Sequence, residues 1–378
     1  MITRRHFIKT TSSVMGSQLL ASQVFANSLR GSDTGHTMAS LFMPEEAEPH
    51  QRTWMAFVAN DYIWYKRQIQ EVKRNLALIA KTVAKYEPVA LLVSPKDHPE
   101  AVSLLDGLDS HNFPVELIPF EVDDLWLRDT GPTFVKNQKG DKVAIDFNFN
   151  GWGNKQQHNR DAKVARFIAK QSGAVLKKTK LVLEGGCFEV DGHGTAILTK
   201  SCVLNKNRNP HLTQQEVETE LKSLLGLRKI IWLEGIKGKD ITDGHTDFYA
   251  RFIKKGQVAV SRDNYRKSYD YQVTRQNIET LRNSADADGN QLELVIIDTP
   301  DRINERYGVS DFAAGYIGYY ACNGAIIAQK FGDNKADKLA KDTLQKAFPD
   351  SVIEQIAIDG IASGGGSIHC ATQQEIRV

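Results

Sequence analysis

Residues 65–93 read YKRQIQEVKRNLALIAKTVAKYEPVALLV, and this stretch decides the class of fold. In residues 65–85 apolar side chains recur at steps of three and four, at Ile69, Val72, Leu76, Ile79 and Val83. That spacing places them on one face of an amphipathic helix. Residues 90–93 then form a short apolar run, which is typical of a strand. The stretch therefore predicts a helix followed by a strand.

The same alternation continues along the chain. Further helical patterns cover residues 161–171, 213–225, 269–283 and 335–348, and Thr213 with Glu216 forms a capping-box pattern. Strand-like apolar runs lie at residues 90–93, 115–119, 143–148, 180–183, 196–199, 229–232, 257–261, 293–297, 325–328 and 352–358. The order strands, helix, strand recurs about five times, with roughly 50 to 70 residues per unit. Because no linker interrupts it, we expect one compact α/β domain of repeated units.

The composition, with 41% hydrophobic and 25% charged residues, is that of an ordinary globular protein. Its formal net charge of +2 is close to neutral. Nucleic-acid and membrane-surface binding usually require a concentrated basic excess, so we expect no nucleic-acid partner.

The N-terminus carries an export pattern. Residues 3–9 read TRRHFIK, residues 10–25 are mildly apolar, and Val24-Phe25-Ala26 resembles a cleavage site. We predict a twin-arginine signal peptide over residues 1–26, with the twin-arginine export machinery as a partner. The remaining residues, 27–378, would form a single catalytic domain in the periplasm. An ordinary basic N-terminus is the alternative.

Two polar clusters follow predicted strands in the first half of the chain. Residues 124–132 read DLWLRDTGP, and their Gly-Pro end predicts a turn that exposes Asp129 to a pocket. Residues 183–186 read LEGG, so Glu184 precedes paired glycines that would allow close backbone approach. A turn aspartate that binds backbone N–H groups and a plain hairpin turn are the structural alternatives.

Two more clusters lie in the second half. Residues 243–247 read DGHTD, and on an extended backbone His245 and Asp247 would share one face. Residues 364–374 read GGGSIHCATQQ. We expect their glycines to make room for a ligand or another backbone, and Cys370 to lie on a strand with His369 facing away from it. A surface turn and a structural cysteine are the alternatives.

Together the clusters supply one thiol, one imidazole and three carboxylates. The sequence has neither a C-x-x-C nor an H-E-x-x-H zinc pattern, and it lacks a phosphate-binding glycine loop. Carboxylates bind guanidinium groups through forked, charge-assisted hydrogen bonds. The set therefore favours a cysteine nucleophile that acts on a planar cation. With Cys370 free, Cys187, Cys202 and Cys322 leave at most one disulfide, and we expect none.

These clusters, in this order, resemble the agmatine deiminase and bacterial peptidyl-arginine deiminase family. Similar stretches cover nearly all of residues 27–378 and include residues 43–55, 147–153 and 204–210 and Asn323-Gly324. The resemblance implies a five-bladed α/β-propeller, the pentein fold, built from ββαβ units. It also implies that no metal or organic cofactor is required.

The resemblance further implies the roles of individual residues. Cys370 would be the nucleophile, His245 the general acid/base, Glu184 its orienting partner, Asp129 and Asp247 the guanidinium ligands, and Trp126 an aromatic wall. The expected reaction converts agmatine and water to N-carbamoylputrescine and ammonia. Activity is expected to fall at acidic pH because the nucleophile must be a thiolate.

Three other functions remain open at this point. The first is an exported deiminase acting on the arginine side chain of peptides, since the chain has Thr246 and Phe248 where agmatine-type members often carry valine and asparagine. The second is a cysteine amidase or protease, which the three carboxylates disfavour because acyl transfer needs oxyanion donors. The third is a binding protein without activity, which the complete set of reactive residues disfavours.

Overall fold

The computed structural model describes residues 41–108, 112–304 and 312–378. The predicted signal peptide, residues 1–26, lies outside these residues. The strands are β1 (His50–Phe57), β2 (Val89–Val93), β3 (Val115–Pro119), β4 (Thr133–Lys136), β5 (Lys142–Asp146), β6 (Val175–Lys178), β7 (Phe188–Val190), β8 (Thr195–Thr199), β9 (Lys229–Leu233), β10 (Ala250–Lys254), β11 (Gln257–Arg262), β12 (Glu293–Asp298), β13 (Tyr320–Cys322), β14 (Ala325–Gln329), β15 (Val352–Ile356) and β16 (Gln373–Ile376).

The helices connect and flank these strands. They are α1 (Lys66–Val83), α2 (His98–Leu105), α3 (Leu127–Thr130), α4 (Gly151–Asn154), α5 (Val164–Gln171), α6 (Lys200–Val203), α7 (Gln214–Leu225), α8 (Asp270–Arg282), α9 (Asn334–Ala347), α10 (Asp359–Ala362) and α11 (Ile368–Ala371), with 3-10 turns at Asp161–Lys163, Gly185–Cys187 and Thr246–Phe248. No helix in the described part of the chain is long and apolar enough to cross a membrane.

Four sheets repeat one pattern, in the orders β4-β5-β6, β7-β8-β9, β10-β11-β12 and β13-β14-β15. In each, the first two strands are antiparallel and the last two are parallel. A parallel pair needs a long crossover, and the helix between the second and third strands supplies it. The predicted ββαβ unit is therefore confirmed.

The remaining sheet joins the two ends of the described chain. Its order is β16-β1-β2-β3, and β16 pairs with β1 in antiparallel register, with His50 opposite Ile376. Strand β1, helix α1 and strand β2 complete the unit, because β1 and β2 are parallel. The C-terminal strand thus supplies the first strand of the first unit, and β16 begins three residues after Cys370.

All five predicted helices are confirmed, as α1, α5 with the 3-10 turn before it, α7, α8 and α9. The apolar face of α1 is fully buried, at Val72, Leu76, Ile79 and Val83. Thr213 caps α7 through the N–H of Glu216, whose carboxylate accepts from the N–H of Thr213 at 2.8 Å. Helices of this length can be predicted from the sequence, because their buried face makes apolar residues recur with the helical period.

One predicted strand is wrong. Residues 180–183 are irregular, and the third strand of their unit is β6, four residues long and partly exposed. The side-chain amide of Asn148 instead donates to the carbonyl oxygens of Thr179 and Leu181 at 2.9 Å, and the N–H of Leu183 donates to the carbonyl of Phe147 at 3.0 Å. The apolar side chains of this run are buried although its backbone forms no strand pairing, which explains why the run resembles a strand in the sequence.

Candidate active site

Four of the five units bring their polar clusters to the same structural position. Asp129, Glu184, His245 with Asp247, and Cys370 each lie three to five residues before the first strand of a unit, namely β4, β7, β10 and β16. The repeated unit thus explains why clusters so far apart in the sequence meet.

The side chains of Asp129, His245 and Asp247 converge on Gly186, on the side where another residue would carry its Cβ atom. A methyl group built on Gly186 would lie 2.6 Å from His245 Nδ1, 3.0 Å from Asp247 Oδ2 and 3.1 Å from Asp129 Oδ1. Asp247 Oδ2 is in turn 3.8 Å from Cys370 Sγ. The neighbouring Gly185 packs against the carbonyl oxygen of Arg128. The close approach expected at the paired glycines is confirmed.

Cys370 lies in the short helix α11, so the predicted strand at this position is wrong. Its side chain is 6% exposed, and Sγ is 3.3 Å from the hydroxyl oxygen of Ser367. Burial and the nearby carboxylates of Asp247 and Asp129 raise the pKa of this thiol well above its ordinary value. Without a cation in the site, the sulfur is therefore a thiol at neutral pH.

His245 is held by two carboxylates. Its Nε2 lies 3.3 Å from Glu184 Oε2, and its Nδ1 lies 3.8 Å from Asp129 Oδ1. Burial opposes a charge on the ring, but these carboxylates outweigh burial and raise the pKa of His245 well above its ordinary value. The ring is therefore ready to donate a proton.

Glu184 is fixed by a residue that carried no predicted role. Arg208 donates from Nε to Glu184 Oε1 at 3.1 Å, and its NH1 donates to Asp243 Oδ2 at 2.6 Å. Although Glu184 is fully buried, Arg208 and His245 hold the pKa of its carboxyl below the ordinary value. Arg208 belongs to the stretch 204–210 that resembles the deiminase family, and this membership is the only sequence signal for it.

Asp129 lies in helix α3, where a turn was predicted. It accepts hydrogen bonds from Trp152 Nε1 at 2.9 Å and from the N–H of Gly186 at 3.2 Å. Trp152 adopts the left-handed backbone angle φ 54°, which is rare for a bulky residue. Burial, with Glu184 and Asp247 nearby, raises the pKa of Asp129 to about 6.

Asp247 lies in the middle of a 3-10 turn, Thr246–Phe248, so the extended backbone predicted for it is wrong, although Asp247 and His245 do reach one site. Its Oδ2 is 2.8 Å from His369 Nδ1. Its Oδ1 is buried and has no hydrogen-bond partner in the described part of the chain. Burial opposes ionisation, yet His369 keeps the pKa of Asp247 below its ordinary value. An ionised oxygen thus remains free for a cation.

His369 lies beside Asp247, which overturns the expectation that it faces away from the site. Its Nε2 is 2.8 Å from Glu46 Oε2, so both ring nitrogens face carboxylates. Glu46 also pairs with Arg128 and Arg251, each at 2.9 Å. This buried charge network connects Asp247 through His369 to Glu46, and the last two lie 323 positions apart in the sequence. No local sequence pattern indicates this network.

Two indole rings occupy the space made by the glycines of residues 364–366. A methyl group on Gly364 would overlap Trp64, and one on Gly366 would overlap Trp126. Both indole N–H groups donate to Asp124 at 2.9 Å. The expectation that these glycines admit a ligand or a backbone is therefore wrong at both positions. Trp126 therefore lies against the glycine-rich segment that precedes α11, the helix that carries Cys370.

One group of buried side chains could also hold a metal ion. Glu184, Cys202 and His245 bring a carboxylate oxygen, a thiol sulfur and an imidazole nitrogen within 4.8 Å of one another.

All four cysteines are buried free thiols.

The fold and site define a chain of ββαβ units with a cysteine, a histidine and three carboxylates at the starts of its units. The sequence profile of the Porphyromonas-type peptidyl-arginine deiminase family matches residues 42–375. The chain belongs to this family.

Three relatives show how similar the chain is to other proteins of this kind. A Legionella pneumophila protein, provisionally named an agmatine deiminase, is 38% identical over 348 residues, which cover 91% of this chain and 97% of that protein. The solved agmatine deiminase of Enterococcus faecalis is 29% identical, with a TM-score of 0.82 over 89% of this chain and 96% of that one. A cysteine-to-serine variant of the C. jejuni agmatine deiminase, solved with substrate bound, is 27% identical, with a TM-score of 0.79 over the same shares. These likenesses confirm the five-bladed α/β-propeller.

Proposed function

We propose that this chain hydrolyses the guanidine group of agmatine, giving N-carbamoylputrescine and ammonia, with Cys370 as the nucleophile. The observation that carries the proposal is the buried Asp247 Oδ1, which has no hydrogen-bond partner among the described residues, on a carboxylate whose other oxygen, Oδ2, lies 3.8 Å from Cys370 Sγ. A buried anion with an unused oxygen requires a cationic partner. A guanidinium supplies both the charge and the N–H donors.

Asp129 and Asp247 would hold the guanidinium with its central carbon over Cys370. The bound cation offsets the two carboxylates that disfavour a thiolate, so substrate binding itself lowers the pKa of the Cys370 thiol. The nearby protonated His245 favours the thiolate in the same way. The thiolate is then formed where its target already lies.

The chemistry runs in two halves. The Cys370 sulfur bonds to the guanidinium carbon, and the C–N bond to one terminal nitrogen breaks as His245 gives that nitrogen a proton, so ammonia leaves. The product of this half is a covalent thiouronium on Cys370. His245 next takes one proton from water as the water oxygen bonds to the same carbon, and the C–S bond then breaks. The second water proton leaves the oxygen as the ureido carbonyl forms and returns to the sulfur, which restores the Cys370 thiol and the protonated His245.

Glu184 would orient His245 throughout both halves, because it faces Nε2 and is itself fixed by Arg208. Trp126 would form the wall of the substrate pocket next to the glycine-rich segment that precedes Cys370. The carboxylates argue against acyl transfer, since they would repel the oxyanion that a cysteine amidase or protease must stabilise.

Peptidyl-arginine is the second candidate substrate, because the family profile carries that name. Burial favours the smaller substrate: Cys370 is 6% exposed, and Asp129 and Asp247 are 6% and 2% exposed. A peptide would need an opening that admits backbone on both sides of the arginine.

The test offers agmatine, free arginine and a blocked arginine peptide in parallel to purified residues 27–378, with Cys370→Ala as the control. We expect ureido product from agmatine and none from the variant. Preference for the peptide would move the function to protein citrullination. Absence of turnover on all three guanidines would overturn the proposal.

We also propose that residues 1–26 direct export through the twin-arginine pathway and that residues 27–378 act in the periplasm as one catalytic domain. The paired arginines in TRRHFIK support this proposal. Replacing Arg4 and Arg5 by lysine should leave the protein in the cytoplasmic fraction of a bacterial host. Unchanged periplasmic recovery of the variant would refute the export route.

A further inference from the structure

A thiol with no part in the proposed chemistry lies beside the general acid/base. Cys202, in α6, donates from Sγ toward Glu184 Oε2 at 3.7 Å, and the same oxygen lies 3.3 Å from His245 Nε2. All three side chains are at most 1% exposed. They come from three separate parts of the chain, so their convergence depends on the fold.

The three atoms have the chemistry and spacing of a zinc site. Thiolate, imidazole and carboxylate are the protein ligands that zinc binds in tetrahedral sites. With bonds of about 2.0 to 2.3 Å, neighbouring ligand atoms of a tetrahedral zinc ion lie about 3.3 to 3.6 Å apart. The spacings of 3.3 Å and 3.7 Å in this group are close to those of one tetrahedral face.

The surroundings also suit metal binding. Arg208 holds Glu184 through Oε1, which leaves Oε2 directed at Cys202 and His245. Outer partners of this kind orient metal ligands. The positive charge of Arg208 is itself offset by Asp243 at 2.6 Å.

We propose that Glu184, Cys202 and His245 form an inhibitory site for a zinc ion. Binding would replace the thiol proton of Cys202 and the proton on His245 Nε2, so two protons leave as one Zn²⁺ enters. The fourth zinc position stays open to water. The inhibition rests on the proposed function, because zinc on Nε2 prevents His245 from becoming the imidazolium that gives a proton to the departing ammonia.

The site itself can be tested without any activity measurement. Cobalt(II) replaces zinc in thiolate sites and gives a near-ultraviolet thiolate-to-metal absorption band. We expect residues 27–378, titrated with CoCl₂, to develop this band at one cobalt per chain and to lose it on addition of ZnCl₂. Cys202→Ser should abolish the band, whereas Cys370→Ser and Cys187→Ser should keep it. Cys187 is the matched control, since it is an equally buried thiol that donates instead to the Glu184 backbone oxygen at 2.7 Å.

The inhibition is tested on agmatine turnover with added ZnCl₂. We expect inhibition that a chelator reverses, and a zinc sensitivity at least 10-fold lower in Cys202→Ser, with each protein referred to its own rate without zinc. A band that survives Cys202→Ser, or one that requires Cys370, would overturn the assignment. A Cys202-dependent band in a protein that turns over no guanidine would support the metal site and refute the proposed function.

Discussion

At the scale of single residues, Asp247 combines a buried oxygen that has no partner among the described residues with a position beside Cys370. We expect Asp247→Asn to lower kcat/KM for agmatine by about 1,000-fold or more, since the amide removes the charge and places an N–H group against the guanidinium. Ureido-product formation measures the loss. Asp298→Asn is the control, because Asp298 is partly exposed and pairs with Arg262, which has no role in the site. Equal activities of the two variants would contradict the role of Asp247.

The pH dependence of kcat/KM is set on the acidic side by Asp129. Its pKa is raised to about 6, so the carboxylate is ionised above that pH and takes up a proton as the pH falls through it. We therefore expect kcat/KM for agmatine to fall below about pH 6. Because the pKa of the Cys370 thiol is also raised, the rate should still increase toward alkaline pH. A profile that is flat from pH 5 to 9 would exclude both assignments.

Sequence motifs located the reacting residues but not the residues that hold them. Asp129, Glu184, His245 and Asp247 all lie in short polar clusters, and the structure brings them together. No such role was predicted for the residues that hold these side chains in place, namely Arg208, Trp152, His369 and Glu46. Their partners are 23 to 323 positions away, so only the folded chain shows which charges meet.

At the scale of elements, helix α11 carries Cys370, and Gly366, two residues before it, packs against Trp126. We expect Gly366→Ala to lower agmatine turnover at least 10-fold and to reduce the free energy of unfolding by about 1 to 3 kcal/mol, because the added methyl group overlaps the indole ring. Turnover and urea unfolding measure the two effects. Gly315→Ala is the matched control, since no atom lies within 4 Å of its added methyl group. Equal losses in both variants would refute the packing argument.

Elements with a long buried face could be predicted from the sequence, whereas the short first strands could not. Strand β7 has three residues and β16 reads QQEI, so neither shows an apolar run. β16 is nevertheless buried, because Gln374 accepts from Arg128 at 2.6 Å and Glu375 accepts from Trp54 at 2.8 Å. Tertiary partners, and not β-propensity, stabilise that strand.

At the scale of the whole molecule, β16 closes the first unit across the length of the chain. We expect deletion of residues 373–378 to abolish cooperative unfolding or soluble expression, because it leaves one edge of β1 unpaired and removes the partners of Arg128 and Trp54. Deletion of residues 377–378 alone is the control. A stable, active product of the longer deletion would show that this pairing is dispensable.

The number of units follows from the alternation of helices and strands, but their closure does not. Periodicity reports the local unit, whereas the pairing of His50 with Ile376 joins opposite ends of the described chain. The propeller was therefore predictable only through family resemblance. The same holds for the site, which forms where equivalent positions of four units meet.

The central claim, that Cys370 attacks the guanidinium carbon, is tested most directly by trapping the covalent intermediate. Residues 27–378 would be mixed with agmatine, quenched in acid within the first turnovers, digested and analysed by mass spectrometry. The account predicts that the peptide containing Cys370 gains the mass of agmatine less ammonia, and that Cys370→Ser does not. An active enzyme whose adduct lies on another residue would contradict the account.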